Sequence, residues 1–206
     1  MSFIETIQER DAGEEVRAMY ERQKSHFGYL PNYARVFCHR PEVMKLWADL
    51  QNGIRKHMDR RRFELITFVA AHALRSTLCS LAHGKALAQH LPREDVLALA
   101  RGEFPASLSP ADIALVVFTR KVARDASDVN AADVDRLRLR GFSDPEIFDI
   151  AAVAAARAFW TKVLESLGVE PDAAFHNLDA EFKRTLASGR PVDFRAQGPV
   201  AEAVLP

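Results

Sequence analysis

Apolar positions recur at helical spacing along most of the chain. After Pro41 they fall at Val43, Leu46, Trp47, Leu50 and Ile54, one face of an α-helix. Upstream, Asp11 with Glu14 reads as a capping box and Gly28 as a stop, which predicts a helix over 12–27. Pro31 and Pro41 both suit a first helical position. Further helices are predicted over 60–74 and 76–90, and Pro92 opens a short one that Gly102 stops. The second half repeats this grammar. Ser109-Pro110-Ala111-Asp112 offers an N-cap, a proline and an acid, Asn130 with Asp133 caps a segment that Gly141 ends, and Ser143-Asp144-Pro145-Glu146 starts a long helix that Gly168 terminates. A last helix is predicted over 172–187. No strand pair or hairpin turn is evident. The expectation is an all-α domain of about nine or ten helices over 1–187. The remaining 188–206, with Gly and Pro and no helical period, reads as a C-terminal arm over the domain or a neighbouring subunit.

Composition narrows the function classes. A length of 206 residues fits one domain with an appendage. Lys plus Arg is 28 and Asp plus Glu is 28, so there is no basic surplus to neutralise nucleic acid or an anionic membrane. The apolar runs Ile66–Leu74 and Ile150–Trp160 are broken by His72 and Arg157 and fall short of the roughly 18–20 residues of a membrane span. The N-terminus, Met1-Ser2-Phe3-Ile4-Glu5, lacks the features of a secretory signal. Two cysteines, Cys38 and Cys79, make no disulfide framework. The reading is a cytoplasmic protein with no nucleic-acid or membrane partner. The short Asp59-Arg60-Arg61-Arg62 cluster reads as a solvated helix start.

One segment carries candidate chemistry. Cys79 and His83 are four residues apart, so on a helix they share a face. A neutral imidazole beside a thiol can take its proton, and thiolate is the reactive form. Ser76 as N-cap would put Cys79 at the third helical position, where the helix dipole also favours negative charge. His72 extends the stripe. Glu64 lies one helix earlier, and a break near 75–76 would fold it back to orient His83. The plainer alternative is a buried structural cysteine beside a satisfied histidine. His72, Cys79, His83 and Glu64 are possible metal ligands but lack a zinc spacing, and no nucleotide loop is present, so no metal or cofactor is predicted. Aromatics cluster at Phe27, Tyr29, Tyr33 and Phe37, and again at Phe159 and Trp160, as core or as the lining of an apolar pocket.

Glu64, Ser76, Cys79 and His83 stand where alkyl hydroperoxidase D-like (AhpD-like) proteins of the carboxymuconolactone decarboxylase superfamily carry Glu, the two cysteines of C-x-x-C, and His. The chain resembles that group over roughly residues 14–175. Gly28-Tyr29-Leu30-Pro31-Asn32, Pro41-Glu42, Leu137-Arg138 with Gly141-Phe142-Ser143-Asp144-Pro145-Glu146-Ile147, and Leu167-Gly168-Val169-Glu170-Pro171-Asp172 all look like the group's segments, most like those of uncharacterised peroxidase-related proteins. The resemblance implies an all-helical fold and a homo-oligomer, trimer or hexamer. It implies a peroxide substrate and an external thiol reductant, with Cys79 attacking and His83 and Glu64 relaying protons. Three positions depart from the pattern. The resolving position is Ser76, which cannot form a disulfide; Leu78 replaces an extra histidine of some members; and Phe159-Trp160-Thr161-Lys162 lacks an expected Asn-Arg pair. Three functions stay open: a single-cysteine peroxidase, resolved by an outside thiol or by Cys38 (otherwise read as buried and inert); an acid/base enzyme of the lactone decarboxylase kind using His83 and Glu64; and a non-catalytic binding or scaffold protein.

Overall fold

The structure, a computed structural model, describes residues 2–190. Among these there are ten α-helices and no strand. They are α1 (Glu14–Phe27), α2 (Asn32–Val36), α3 (Pro41–Arg55), α4 (Arg60–Ala73), α5 (Thr77–Leu87), α6 (Arg93–Ala100), α7 (Pro110–Arg124), α8 (Ala131–Arg138), α9 (Asp144–Ser166) and α10 (Ala180–Leu186).

Capping chemistry sets most of the boundaries. Ser109 with Asp112, Asn130 with Asp133 and Ser143 with Glu146 each form a two-way capping box, satisfying backbone N–H groups that the helix leaves open. Gly28, Gly102, Gly141 and Gly168 all take positive φ just beyond a helix end, as expected of helix stops.

Three boundary expectations are corrected. Asp11 does not cap α1. It lies in a single 3-10 turn (Glu9–Asp11), and the buried Ala12 moves the start to Gly13, whose position is too far from Asp11 for a cap. Pro31 is itself the N-cap residue of α2, one place before the predicted position. The predicted 172–187 helix is two pieces, a 3-10 turn (Ala173–Asn177) and α10. Asp179 makes the second start, its carboxylate accepting from the N–H groups of Glu181 and Phe182, while Asp172 is engaged elsewhere.

Helix α4 is the central element. Every residue from Phe63 to Ala71 is buried, so it has no solvent face, the mark of a helix surrounded by others. It packs on α5, α7 and α9. Two apolar clusters meet along it. The larger joins Leu65, Ile66 and Phe68 to Leu115, Leu137 and Ile150; the smaller joins α1–α3 to Cys79, Trp160 and Leu164. No helix among the described residues is long and apolar enough to cross a membrane.

The break between α4 and α5 turns on one strained residue. Arg75 adopts φ 59°, a left-handed conformation uncommon for a side-chain-bearing residue. This turn lays α5 back against α4. The start of the predicted arm seals it: Arg75 Nε donates to the Ser188 carbonyl, the Gly189 N–H donates to Thr77 Oγ1, and Thr77 Oγ1 donates to the Arg190 carbonyl. The rest of that arm, 191–206, lies outside the described residues. A Cβ on Gly189 would overlap the Arg75 carbonyl oxygen, an overlap only backbone movement could relieve. Gly189→Ala is therefore expected to expel this segment, costing ~1–2 kcal/mol. Faster amide hydrogen exchange through residues 75–80 is the readout; unchanged protection there would contradict the contact.

Candidate active site

The left-handed turn and the Ser76 cap place the cysteine. Ser76 is fully buried, and its hydroxyl oxygen accepts from the Cys79 N–H at 3.4 Å. Thr77, Leu78 and Cys79 are the first three residues of α5, so the sulfur sits within its first turn, in the positive potential of the helix N-terminus. One turn further, His83 Nδ1 lies 2.8 Å from Glu64 Oε2. Since a carboxylate only accepts, Nδ1 carries the hydrogen and Nε2 is left as the basic nitrogen. The α4–α5 fold-back thus brings together a carboxylate and an imidazole that are 19 residues apart.

Electrostatics fix the protonation states. Burial depresses the His83 pKa, and the Arg157 guanidinium depresses it further, so the imidazole is neutral near pH 7. Burial alone would raise the Glu64 carboxyl. His83, Arg157 and Arg60 outweigh it and hold the group below the usual carboxylate range. The pair is a neutral histidine donating to an ionised glutamate.

These groups line a cavity of about 360 Å³ between α3, α5 and α9. Cys79 is only 1 % exposed but faces it, together with His83, Glu64, Tyr29, Tyr33, Trp47, Trp160 and Phe175. Trp160 is stacked between Phe37 and Trp47, with centroids 4.9 and 5.0 Å away. Of the predicted aromatics, Phe27, Tyr29, Tyr33 and Trp160 reach the cavity, Phe37 lies behind Trp160, and Phe159 is half exposed outside it.

His72 does not join the site. The Arg75 turn breaks the helical stripe that would have aligned it with Cys79, and His72 packs near Phe68 and the Thr185 backbone. Among the described residues no three His, Cys, Asp or Glu side chains converge on a point that could hold a metal. Cys38 is buried and free, its sulfur accepting from the Ile7 N–H at 3.3 Å.

Two site residues were not singled out in the sequence. Arg157, from the middle of α9, is 6 % exposed; its guanidinium lies beside Cys79, whose sulfur is the largest favourable influence on its charge, and 5.8 Å from the centre of the Trp47 ring. Its signal was a lone arginine inside an apolar helical run. Asp172 is also buried at the cavity wall, accepting from the Asn32 N–H at 2.6 Å and from the Tyr29 hydroxyl at 3.3 Å.

Residues 41–121, from α3 nearly to the end of α7, match the carboxymuconolactone decarboxylase family. Among curated proteins no sequence matches the chain. Solved structures share the fold. An uncharacterised peroxidase-related protein with an alkylhydroperoxidase AhpD core, from Ralstonia eutropha JMP134, superposes with a TM-score of 0.73 at 22% identity, covering 92% of this chain and 98% of that one. A second uncharacterised peroxidase-related protein, from Silicibacter sp. TM1040, gives 0.70 at 22% identity, covering 84% and 94%. A cysteine-to-alanine variant of a debrominase, in complex with 2,3,4-tribromopyrrole, gives 0.67 at 18% identity, covering 88% and 94%.

Proposed function

We propose that this chain, an AhpD-like member of the carboxymuconolactone decarboxylase superfamily, is a single-cysteine thiol peroxidase acting through Cys79. The observation that carries the reading is the Glu64–His83 hydrogen bond one helical turn from a cysteine that faces the same cavity. His83 Nε2 takes the Cys79 proton. The thiolate sulfur attacks the terminal oxygen of a hydroperoxide. An S–O bond forms as the O–O bond breaks, and the departing alkoxide recovers the proton from His83, leaving as an alcohol. Glu64 steadies the imidazolium between these steps. Arg157 supplies positive charge beside the sulfur throughout.

Ser76 cannot resolve the sulfenic acid, and its oxygen is engaged as the cap of α5. Resolution falls to an external thiol, which condenses with the sulfenic acid to a mixed disulfide and water. A second thiol then releases Cys79 and carries away the disulfide. Brief peroxide exposure followed by dimedone trapping is expected to give a sulfenic adduct on Cys79 by mass spectrometry. An unmodified Cys79 under conditions that oxidise free cysteine would overturn the proposal.

The aromatic wall favours one second reading. The debrominase with this fold holds a brominated pyrrole, and a halogenated arene would fit against Trp47 and Trp160 here. The thiol would then serve reductive dehalogenation, C–Br becoming C–H as two thiols are oxidised to a disulfide and HBr is released. Bromide release from a bromopyrrole that requires Cys79 would support it; none across a panel of bromoarenes would remove it.

A further inference from the structure

Arg157 has a buried charge and no carboxylate partner. Its side chain is 94 % buried, and its Nε–H is sealed from solvent with no acceptor. Among the described residues no carboxylate lies within ion-pairing distance of it. The two acids that share its cavity are already committed. Glu64 accepts from His83, and Asp172 accepts from Asn32 and Tyr29. A guanidinium presents five donors in one plane, of which the Cys79 sulfur can use only part. Buried charges are normally paired with a carboxylate or fully hydrogen-bonded, so a guanidinium at a cavity wall with no carboxylate beside it and donors to spare beyond the Cys79 sulfur calls for an acid from outside the chain.

The rest of the wall says what that partner is. Leaving Arg60 aside, Arg55, Lys85 and Arg157 line the cavity against Glu64 and Asp172, a positive excess in a chain whose formal charge is zero. That imbalance draws anions inward. Tyr29, Tyr33, Trp47 and Trp160 line the same cavity, Trp47 beside Arg157, and give it aromatic surface suited to a ring. A volume of about 360 Å³ holds a small molecule and not a peptide or a lipid chain.

We infer that this cavity binds a small aromatic acid, its acid group against the Arg157 guanidinium and its ring against Trp47 and Trp160. Whatever the bound acid undergoes rests on the thiol chemistry proposed above; its binding does not. The inference adds a specificity to that chemistry, since a neutral substrate would leave the guanidinium without a carboxylate and an aliphatic acid would leave the aromatic wall unused.

Benzoate is the probe and benzamide its neutral counterpart, titrated against intrinsic tryptophan fluorescence at low ionic strength. Benzoate is expected to bind the unmodified protein at least tenfold more tightly, and Arg157→Met is expected to erase the difference. Arg157→Lys, which keeps the charge but not the planar fork, should retain part of it. Equal affinities for the two probes in the unmodified protein would overturn the inference, and that comparison needs no variant to fold. A benzoate preference that survives in Arg157→Met would overturn it too. No peroxide enters the titration, so its failure leaves the Cys79 chemistry standing, and an absent sulfenic adduct leaves the binding site standing.

Discussion

Cys79→Ser is expected to consume hydroperoxides no faster than buffer, and Glu64→Gln to retain the thiol yet lose about 10²–10⁴ in rate, the range typical of positioned acid/base groups. The reason lies in the division of labour between the two residues. Among the described residues that line the cavity, the sulfur alone can take an oxygen from a peroxide, so its removal leaves no alternative nucleophile there. Glutamine in place of Glu64 can still accept from His83 Nδ1, so the ring stays oriented. What it cannot do is stabilise the imidazolium that forms while His83 holds the proton. The pH profile separates this from a merely structural defect. His83 must be neutral to act as base, and burial with Arg157 nearby lowers its pKa below the ordinary imidazole value of about 6.5. The rate is therefore expected to fall only as pH drops below that value. Without the Glu64 carboxylate, which raises the His83 pKa both by its charge and by its hydrogen bond, this acid limb should move to still lower pH. A slower variant whose acid limb stays in place would show that Glu64 only supports the fold.

The part of the site carried by short-range patterns was readable from the sequence. A serine three residues before a cysteine reads as a cap, and a histidine four residues after it reads as the next turn of the same face. Both follow from helix geometry alone. The Glu64 contact needed a long-range event, the fold-back at Arg75. The break was readable, since the helical pattern falters at 75–76, but its direction was not, and the same turn carried His72 away. Arg157 was visible only as an interruption of an apolar run. A charge in such a run is either solvated at a helix face or buried with a role, and only the packing of α3 and α4 against α9 shows which. Asp172 was hidden for a different reason. It read as the start of a last helix, whereas Asp179 caps α10 and Asp172 turns inward to the Asn32 backbone.

That inward turn has an energetic consequence. Burial raises the Asp172 pKa from 3.8 to about 6, against the opposing hydrogen bonds from Asn32 and Tyr29 and the charge of Arg35. A folded pKa above the unfolded one means that the fold prefers the protonated acid. The stability from this preference is fully present below about pH 4 and is lost as pH rises through 6. At about 1.4 kcal/mol per unit, the ionised carboxylate costs roughly 3 kcal/mol at pH 8. Asp172→Asn keeps an acceptor for the Asn32 N–H without the charge. It is expected to be more stable than the unmodified chain by ~1–2 kcal/mol at pH 8, with the advantage shrinking toward zero near pH 4, where both side chains are neutral. Urea unfolding at the two pH values measures this, and an equal loss of stability at both would contradict it. A protein that retains a destabilising carboxylate on the wall of its cavity keeps it against a stability gradient, which points to use in the site. The same substitution removes one of the two acids that line the cavity with Arg157, so Asp172→Asn should also tighten benzoate binding. A variant that gains stability at pH 8 and gains affinity for an anion would tie both effects to one buried negative charge.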